Sequence, residues 1–214
     1  MNGKSFRKPE VTRLIRLLIL LLALAGVLIE IFTTRLSREI PFLFRFYTIQ
    51  TNLFAASSML LLLLIRNEKG GYFWIARLFS NAASLWILIT GVLYGLLLSG
   101  LYHPVGWKSL SNLLLHTITP LMMVAHELVL SKPMAFRRWL PAVWVSYPLI
   151  YAVVSGVYGI QFGFFPYWFL NPTQNYPHGA GSLLNVALIV GMLMIGFIGF
   201  GLLMLRLNRR IQNQ

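Results

Sequence analysis

A chain of 214 residues in which 57% are hydrophobic and 11% charged, with a mean hydropathy of +0.72, cannot fold as an ordinary soluble domain. Its net charge of +13 would suggest nucleic acid in a water-soluble protein. Here the 18 basic residues are scattered between apolar runs and form no single stripe, so no nucleic-acid partner is expected. The absence of cysteine excludes disulfides, thiol catalysis and cysteine-based metal sites.

A helix needs roughly 20 apolar residues to cross the hydrocarbon core. Six stretches are long enough: about 14–34, 44–65, 73–99, 110–130, 139–160 and 182–205. None shows the period-two alternation of a barrel strand, and a helix satisfies its own backbone in lipid. The expected fold class is therefore all-α, an integral-membrane six-helix bundle forming one transmembrane domain over residues 1–214.

The first span follows Lys4, Arg7, Lys8 and Arg13, but its apolar run exceeds the 7–15 residues of a signal-peptide core, so it is expected to remain as a helix. It carries Glu30 near its far end. The second opens on FRFYTIQTN, which supplies Arg45, Thr48, Thr51 and Asn52. The third holds Thr90, Tyr94 and a GxxxG pair, Gly91 and Gly95, and the fourth reads SNLLLHTITP, with Asn112, His116, Thr119 and Pro120. The fifth ends near Tyr158 and a second GxxxG, Gly159 and Gly163. Both pairs predict close helix packing, within the bundle or between copies of the chain. A charge-free aromatic loop over 161–181, including Phe165 and Trp168, then leads to Asn185 in the sixth span. That loop is expected to form an interfacial belt or a lid over an outer pocket. His178 within it is expected to be solvated.

Counting Lys and Arg at alternating span ends gives 14 on one side (Lys4, Arg7, Lys8, Arg13, Arg16, Arg66, Lys69, Arg77, Lys132, Arg137, Arg138, Arg206, Arg209, Arg210). The other side has 4 (Arg35, Arg38, Arg45, Lys108). The positive-inside rule predicts that both termini are cytoplasmic.

Buried polar groups in membranes are costly and mark sites. At about 1.5 Å of rise per residue, a second span starting at Phe44 puts Thr48 roughly 6 Å below the outer boundary. A fourth span starting at Leu110 puts His116 roughly 9 Å below it. Each has polar neighbours three or four residues away on its own face, Thr51 and Asn52 beside Thr48, Asn112 and Thr119 beside His116. Pro120 has no N–H, which should free the His116 carbonyl and bend the helix. A hydroxyl and an imidazole at one depth suit acyl transfer, in which the hydroxyl attacks a carbonyl and the imidazole moves its proton. Asn52 and Asn112 are candidate oxyanion donors, and Glu30 or Arg45 candidate orienting groups. The plainer reading is that Thr48 and His116 only hydrogen-bond across helices.

The runs FYTIQTNLFAA, LLHTITPLMM and YPLIYAVVSGVYGIQFGFFPYWFLNP, in that order and spacing, resemble the bacterial six-span "Pr-six-Pr" membrane proteins. These in turn are similar to the androgen-induced-gene family of atypical threonine hydrolases, which cleave fatty acid esters of hydroxy fatty acids. The resemblance extends from about Arg45 to about Asn185. It implies a bacterial inner-membrane protein acting on a lipid or lipid-like ester in the outer leaflet, with Thr48 as nucleophile and His116 as base. Tyr94, Tyr158, Phe165, Trp168 and Asn185 are expected to line the pocket or its lid. This chemistry needs no metal or organic cofactor. The rival expectations are a non-enzymatic lipid or small-molecule binder or transporter using the same pocket, and a membrane scaffold. His126 and Glu127 form an HE pair, but a zinc-protease helix needs a second histidine where Leu130 stands. The pair is expected to sit at the cytoplasmic interface.

Overall fold

The computed structural model describes residues 9–65, 70–131, 137 and 139–212. Among them every regular element is helical, and six helices are long and apolar enough to cross a bilayer. These are α1 (Pro9–Thr33), α2 (Tyr47–Leu64), α3 (Gly71–Leu98), α4 (Trp107–Leu130), α5 (Leu140–Phe162) and α6 (Leu183–Gln212). The largest departures from the sequence-based boundaries are at the ends of α1 and α6, which run on into polar residues, because a helix continues past the apolar stretch that identifies it. Of the basic residues tallied above, Lys4, Arg7, Lys8, Arg66, Lys69, Lys132 and Arg138 lie outside the described residues.

The chain packs as two compact units, Met1–Phe136 with Met204–Gln214, and Arg137–Leu203. In the first, α1 packs on α2 and α4, and α3 packs on the same two helices, closing a four-helix ring. Ile19, Ala55, Met59, Leu62, Phe73, Ala76, Ala83, Ile87 and Met123 fill its centre. Small residues carry the contacts. Ala83 and Ser84 of α3 are fully buried, and Ser84 Oγ donates to the Met123 carbonyl of α4 at 3.3 Å. In lipid, helices gain little from hiding apolar surface from one another, so short side chains and interhelical hydrogen bonds hold them together. On α1 the buried face is Arg16, Ile19, Ala23, Gly26 and Val27, while Leu14, Leu21 and Leu28 are about half exposed on the opposite face. That outward stripe repeats every seven residues and suits acyl chains.

The second unit contains α5, residues 183–203 of α6 and the aromatic loop. The loop folds around Asn171. Its side-chain amide donates to the His178 carbonyl at 2.9 Å, its Oδ1 accepts from the Thr173 backbone N–H, and its carbonyl accepts from the Ala180 N–H. Within its unit, the first glycine of the second GxxxG packs on the loop. A Cβ on Gly159 would lie 2.3 Å from the Phe165 ring, so that glycine receives the loop. Gly163, at φ 71°, ends α5 in the left-handed region with its N–H on the Gly159 carbonyl.

Candidate functional site

Thr48 is the second residue of α2. A threonine inside a helix commonly bonds back to the carbonyl a turn earlier, as Thr33 does to Ile29 and Thr90 to Trp86. The Thr48 hydroxyl reaches across to His116 of α4, with Oγ1 3.1 Å from Nε2. The other ring nitrogen, Nδ1, lies 3.2 Å from the Asn112 carbonyl. A carbonyl only accepts, so Nδ1 carries the proton and the Nε2 lone pair faces the Thr48 hydroxyl, which donates to it.

Matching depths measured from the helix starts do not explain this contact. The second helix begins at Tyr47 and the fourth at Trp107, so Thr48 is one residue past its start and His116 nine past its own. The chain before α2 makes a short helical turn, Ile40–Leu43.

α4 is not evenly wound. It is α-helical over Trp107–Leu113, π-helical over Leu114–Ile118, α-helical over Thr119–Ala125 and π-helical again over His126–Leu130. His116 lies in the first π turn, a distortion found often at functional positions. In the wider π register the N–H missing at Pro120 is the one that would face the Leu115 carbonyl. Asn52 replaces it, with Nδ2 donating to the Leu115 carbonyl at 3.2 Å and to the Thr48 carbonyl at 2.9 Å. Both Asn52 N–H groups meet backbone carbonyls, so it ties α2 to α4 and supports the site from below.

The His116 carbonyl packs on Gly91, where a Cβ would stand only 2.9 Å away, whereas a Cβ on Gly95 meets nothing within 4 Å. Only half of that GxxxG is a helix contact. Gly26 receives the Leu115 side chain in the same manner, and Ser111 Oγ donates to the Gly26 carbonyl at 3.0 Å.

Tyr94 opens a π turn at the end of α3 and stacks on the His116 ring, with centroids 4.2 Å apart and planes 27° apart. Asn112 Nδ2 donates to the Tyr94 hydroxyl at 2.6 Å. Thr51 is fully buried and shares a 2.7 Å hydrogen bond with Thr90, so it braces α2 on α3 and does not face the imidazole. Thr119 is also fully buried, and its hydroxyl makes no hydrogen bond among the described residues. The orienting contact expected from Glu30 or Arg45 is supplied by the Asn112 carbonyl instead. The Arg45 guanidinium lies 4.4 Å over the Phe42 ring. Glu30 acts on Tyr102, in the loop after α3, whose phenol is raised above its ordinary value first by partial burial and next by that carboxylate.

Tyr158, Phe165, Trp168 and Asn185 belong to the second unit. Tyr158 stacks on Phe162, and Phe165 packs on Gly159. Trp168, Asn185 and Tyr176 line an apolar groove of about 320 Å³ with Leu188, Ile189 and Met192 of α6.

At the opposite end of the four-helix ring lies a polar cluster that the sequence reading missed. His126 and Glu127 are 1% and 2% exposed, so they are buried between helices. Arg16 of α1 donates through Nε to His126 Nε2 at 3.2 Å and through Nη1 to the Leu62 carbonyl. Glu127 accepts from Ser80, and Arg77 donates to Ser131 with its Nη1 3.9 Å from Glu127. Asn208 donates to the Glu127 and Ser131 carbonyls, which the second π turn leaves exposed at the end of α4. Arg16 and Arg77 thus balance buried polar groups and are not headgroup contacts. The available signal was an arginine inside each of two apolar runs, opposite a carboxylate in a third.

No family model matches the chain, and no curated protein or solved structure matches it.

Proposed function

We propose that this protein is a membrane-embedded lipid-ester hydrolase, or acyl transferase, with Thr48 as nucleophile and His116 as general base and then acid. The observation that carries this reading is the 3.1 Å approach of Thr48 Oγ1 to an Nε2 whose ring is fixed through Nδ1. That is a nucleophile, a base and an orienting acceptor in sequence. Thr48 Oγ1 attacks the ester carbonyl carbon as its proton passes to Nε2. Collapse of the tetrahedral intermediate sends that proton to the leaving alcohol and leaves an acyl-Thr48 ester. Water then attacks the acyl carbon, giving its proton to Nε2, and the proton returns to Thr48 as the fatty acid departs. An alcohol in place of that water makes the same steps an acyl transfer.

The N-terminal end of α2 supports the charged species, because its aligned peptide dipoles favour negative charge beside Thr48. The site also lies one residue inside α2, which follows the exposed segment 35–39 and the short turn Ile40–Leu43. Lipid esters and water meet at such a boundary. With Arg16 and Arg77 removed from the positive-side tally, 12 basic residues still oppose 4. This supports cytoplasmic termini, a site in the outer leaflet and a plasma-membrane location.

The test is covalent labelling with a fluorophosphonate probe in lipid nanodiscs, alongside turnover of a fluorogenic long-chain ester. Wild type should label and turn over, and Thr48→Ala and His116→Ala should do neither while remaining folded. Labelling that survives Thr48→Ala refutes the assignment.

A further inference from the structure

We infer that Tyr94, anchored by Asn112, is the positioning residue that holds the His116 imidazole flat and stabilises it once it is protonated. This rests on the reading of Thr48 and His116 as nucleophile and base. A base that takes a proton from threonine becomes an imidazolium during the reaction. His116 is part-buried on a membrane-spanning helix, so water solvates that cation incompletely. The described carboxylates do not supply a counterion to it: the group on Nδ1 is the Asn112 carbonyl, a neutral dipole. What does face the ring is Tyr94, stacked at 4.2 Å and 27°. The negative face of an aromatic ring attracts a cation within about 6 Å of its centroid. The stack therefore gains strength when the proton arrives, which favours the transition state over the resting state.

Asn112 makes the arrangement rigid from both sides. Its backbone carbonyl accepts from His116 Nδ1, and its side-chain amide donates to the Tyr94 hydroxyl at 2.6 Å. One residue thereby sets the rotation of the imidazole and the height of the ring lying on it. The two rings also come from distorted turns. Tyr94 begins the π turn of α3 and His116 sits in the π turn of α4. An extra residue per turn re-aims a side chain. The same device on two neighbouring helices, meeting in one stacked pair, argues for a placed contact over incidental packing.

The experiment compares fluorophosphonate labelling rates and ester turnover for wild type, Thr48→Ala, Tyr94→Phe, Tyr94→Leu and Tyr94→Trp in nanodiscs, with thermal unfolding of each. Tyr94→Phe keeps the ring and loses the Asn112 anchor, and it should label about 3-fold more slowly. Tyr94→Leu loses the aromatic face and should slow about 10- to 30-fold, in kcat with KM little changed. Tyr94→Trp should recover most of that loss, since indole presents the better face to a cation. A residue that only packs would alter the unfolding temperature or KM, with leucine and tryptophan variants ranked by size. Thr48-dependent labelling in wild type that is equally fast in Tyr94→Leu overturns this inference alone. Absence of Thr48-dependent labelling in wild type overturns the hydrolase reading and this inference together.

Discussion

Adding one methyl group at Gly91 probes the site from behind. The Cβ of an alanine there would stand 2.9 Å from the His116 carbonyl oxygen and 3.4 Å from Pro120 Cβ, and both neighbours belong to the rigid turn that carries the imidazole. Restoring ordinary contact requires α3 and α4 to part by about half an ångström, enough to stretch a 3.1 Å hydrogen bond to the edge of its useful range. Overpacking of this kind costs about 1–3 kcal/mol. Misplacing a catalytic base by a fraction of an ångström costs on the order of 10-fold in rate. Gly95→Ala is the matched control, since it adds the same methyl one turn away into open space and replaces a poor helix former. Fluorophosphonate labelling and thermal unfolding of the two variants in parallel give the answer. Gly91→Ala should be slower and less stable, and Gly95→Ala should equal wild type or melt slightly higher. Equal behaviour of the two would refute the claim that the His116 turn is seated on α3 through Gly91.

Asn52→Leu removes the donor to the Leu115 carbonyl and should cost about 1–3 kcal/mol in detergent unfolding, since the Thr48 carbonyl keeps the Thr51 hydroxyl; an unchanged melting temperature would show the Leu115 carbonyl to be satisfied otherwise. Thr51→Val should keep labelling near the wild-type rate with a loss of about 1 kcal/mol, because the Thr51 hydroxyl serves Thr90 and not the imidazole. Arg77→Leu strands the buried Glu127 carboxylate and should cost about 3–5 kcal/mol, whereas Arg77→Met combined with Glu127→Leu should unfold at a higher temperature than Arg77→Leu alone. A phosphatase reporter fused after Gln214 should stay inactive if the C-terminus is cytoplasmic, and an active fusion would reverse the leaflet assigned to the site.

How much of the site was legible in advance depended on the kind of interaction involved. Thr48 and His116 stood out because a hydroxyl and an imidazole in apolar runs have few cheap roles, and the structure brings those two together. Asn52 and Asn112 were also visible, but not what they do. Asn52 donates to the Leu115 carbonyl, which the proline and the π turn leave open, and no spacing rule announces a π turn. Tyr94 was indistinguishable from any aromatic near a helix end until its ring lay on the imidazole. The HE pair was read as an interface feature because its partners, Arg16, Arg77, Ser80 and Asn208, are distant in sequence and come together only when α1, α3, α4 and the end of α6 assemble.

The sequence by itself determined the helical class and the six lengths of chain able to cross a bilayer, because length and hydropathy in lipid are one-dimensional properties and the backbone there has few alternatives to a helix. The rotation of each helix was decided only by the tertiary structure. In water a polar stripe would have shown which face points outward. In a bilayer both faces are apolar, so Ile19 and Leu21 look alike in the sequence, although one is fully buried and the other half exposed. Small residues, stray carbonyls and a few hydrogen bonds make that choice, and it is the choice that sets Thr48 against His116.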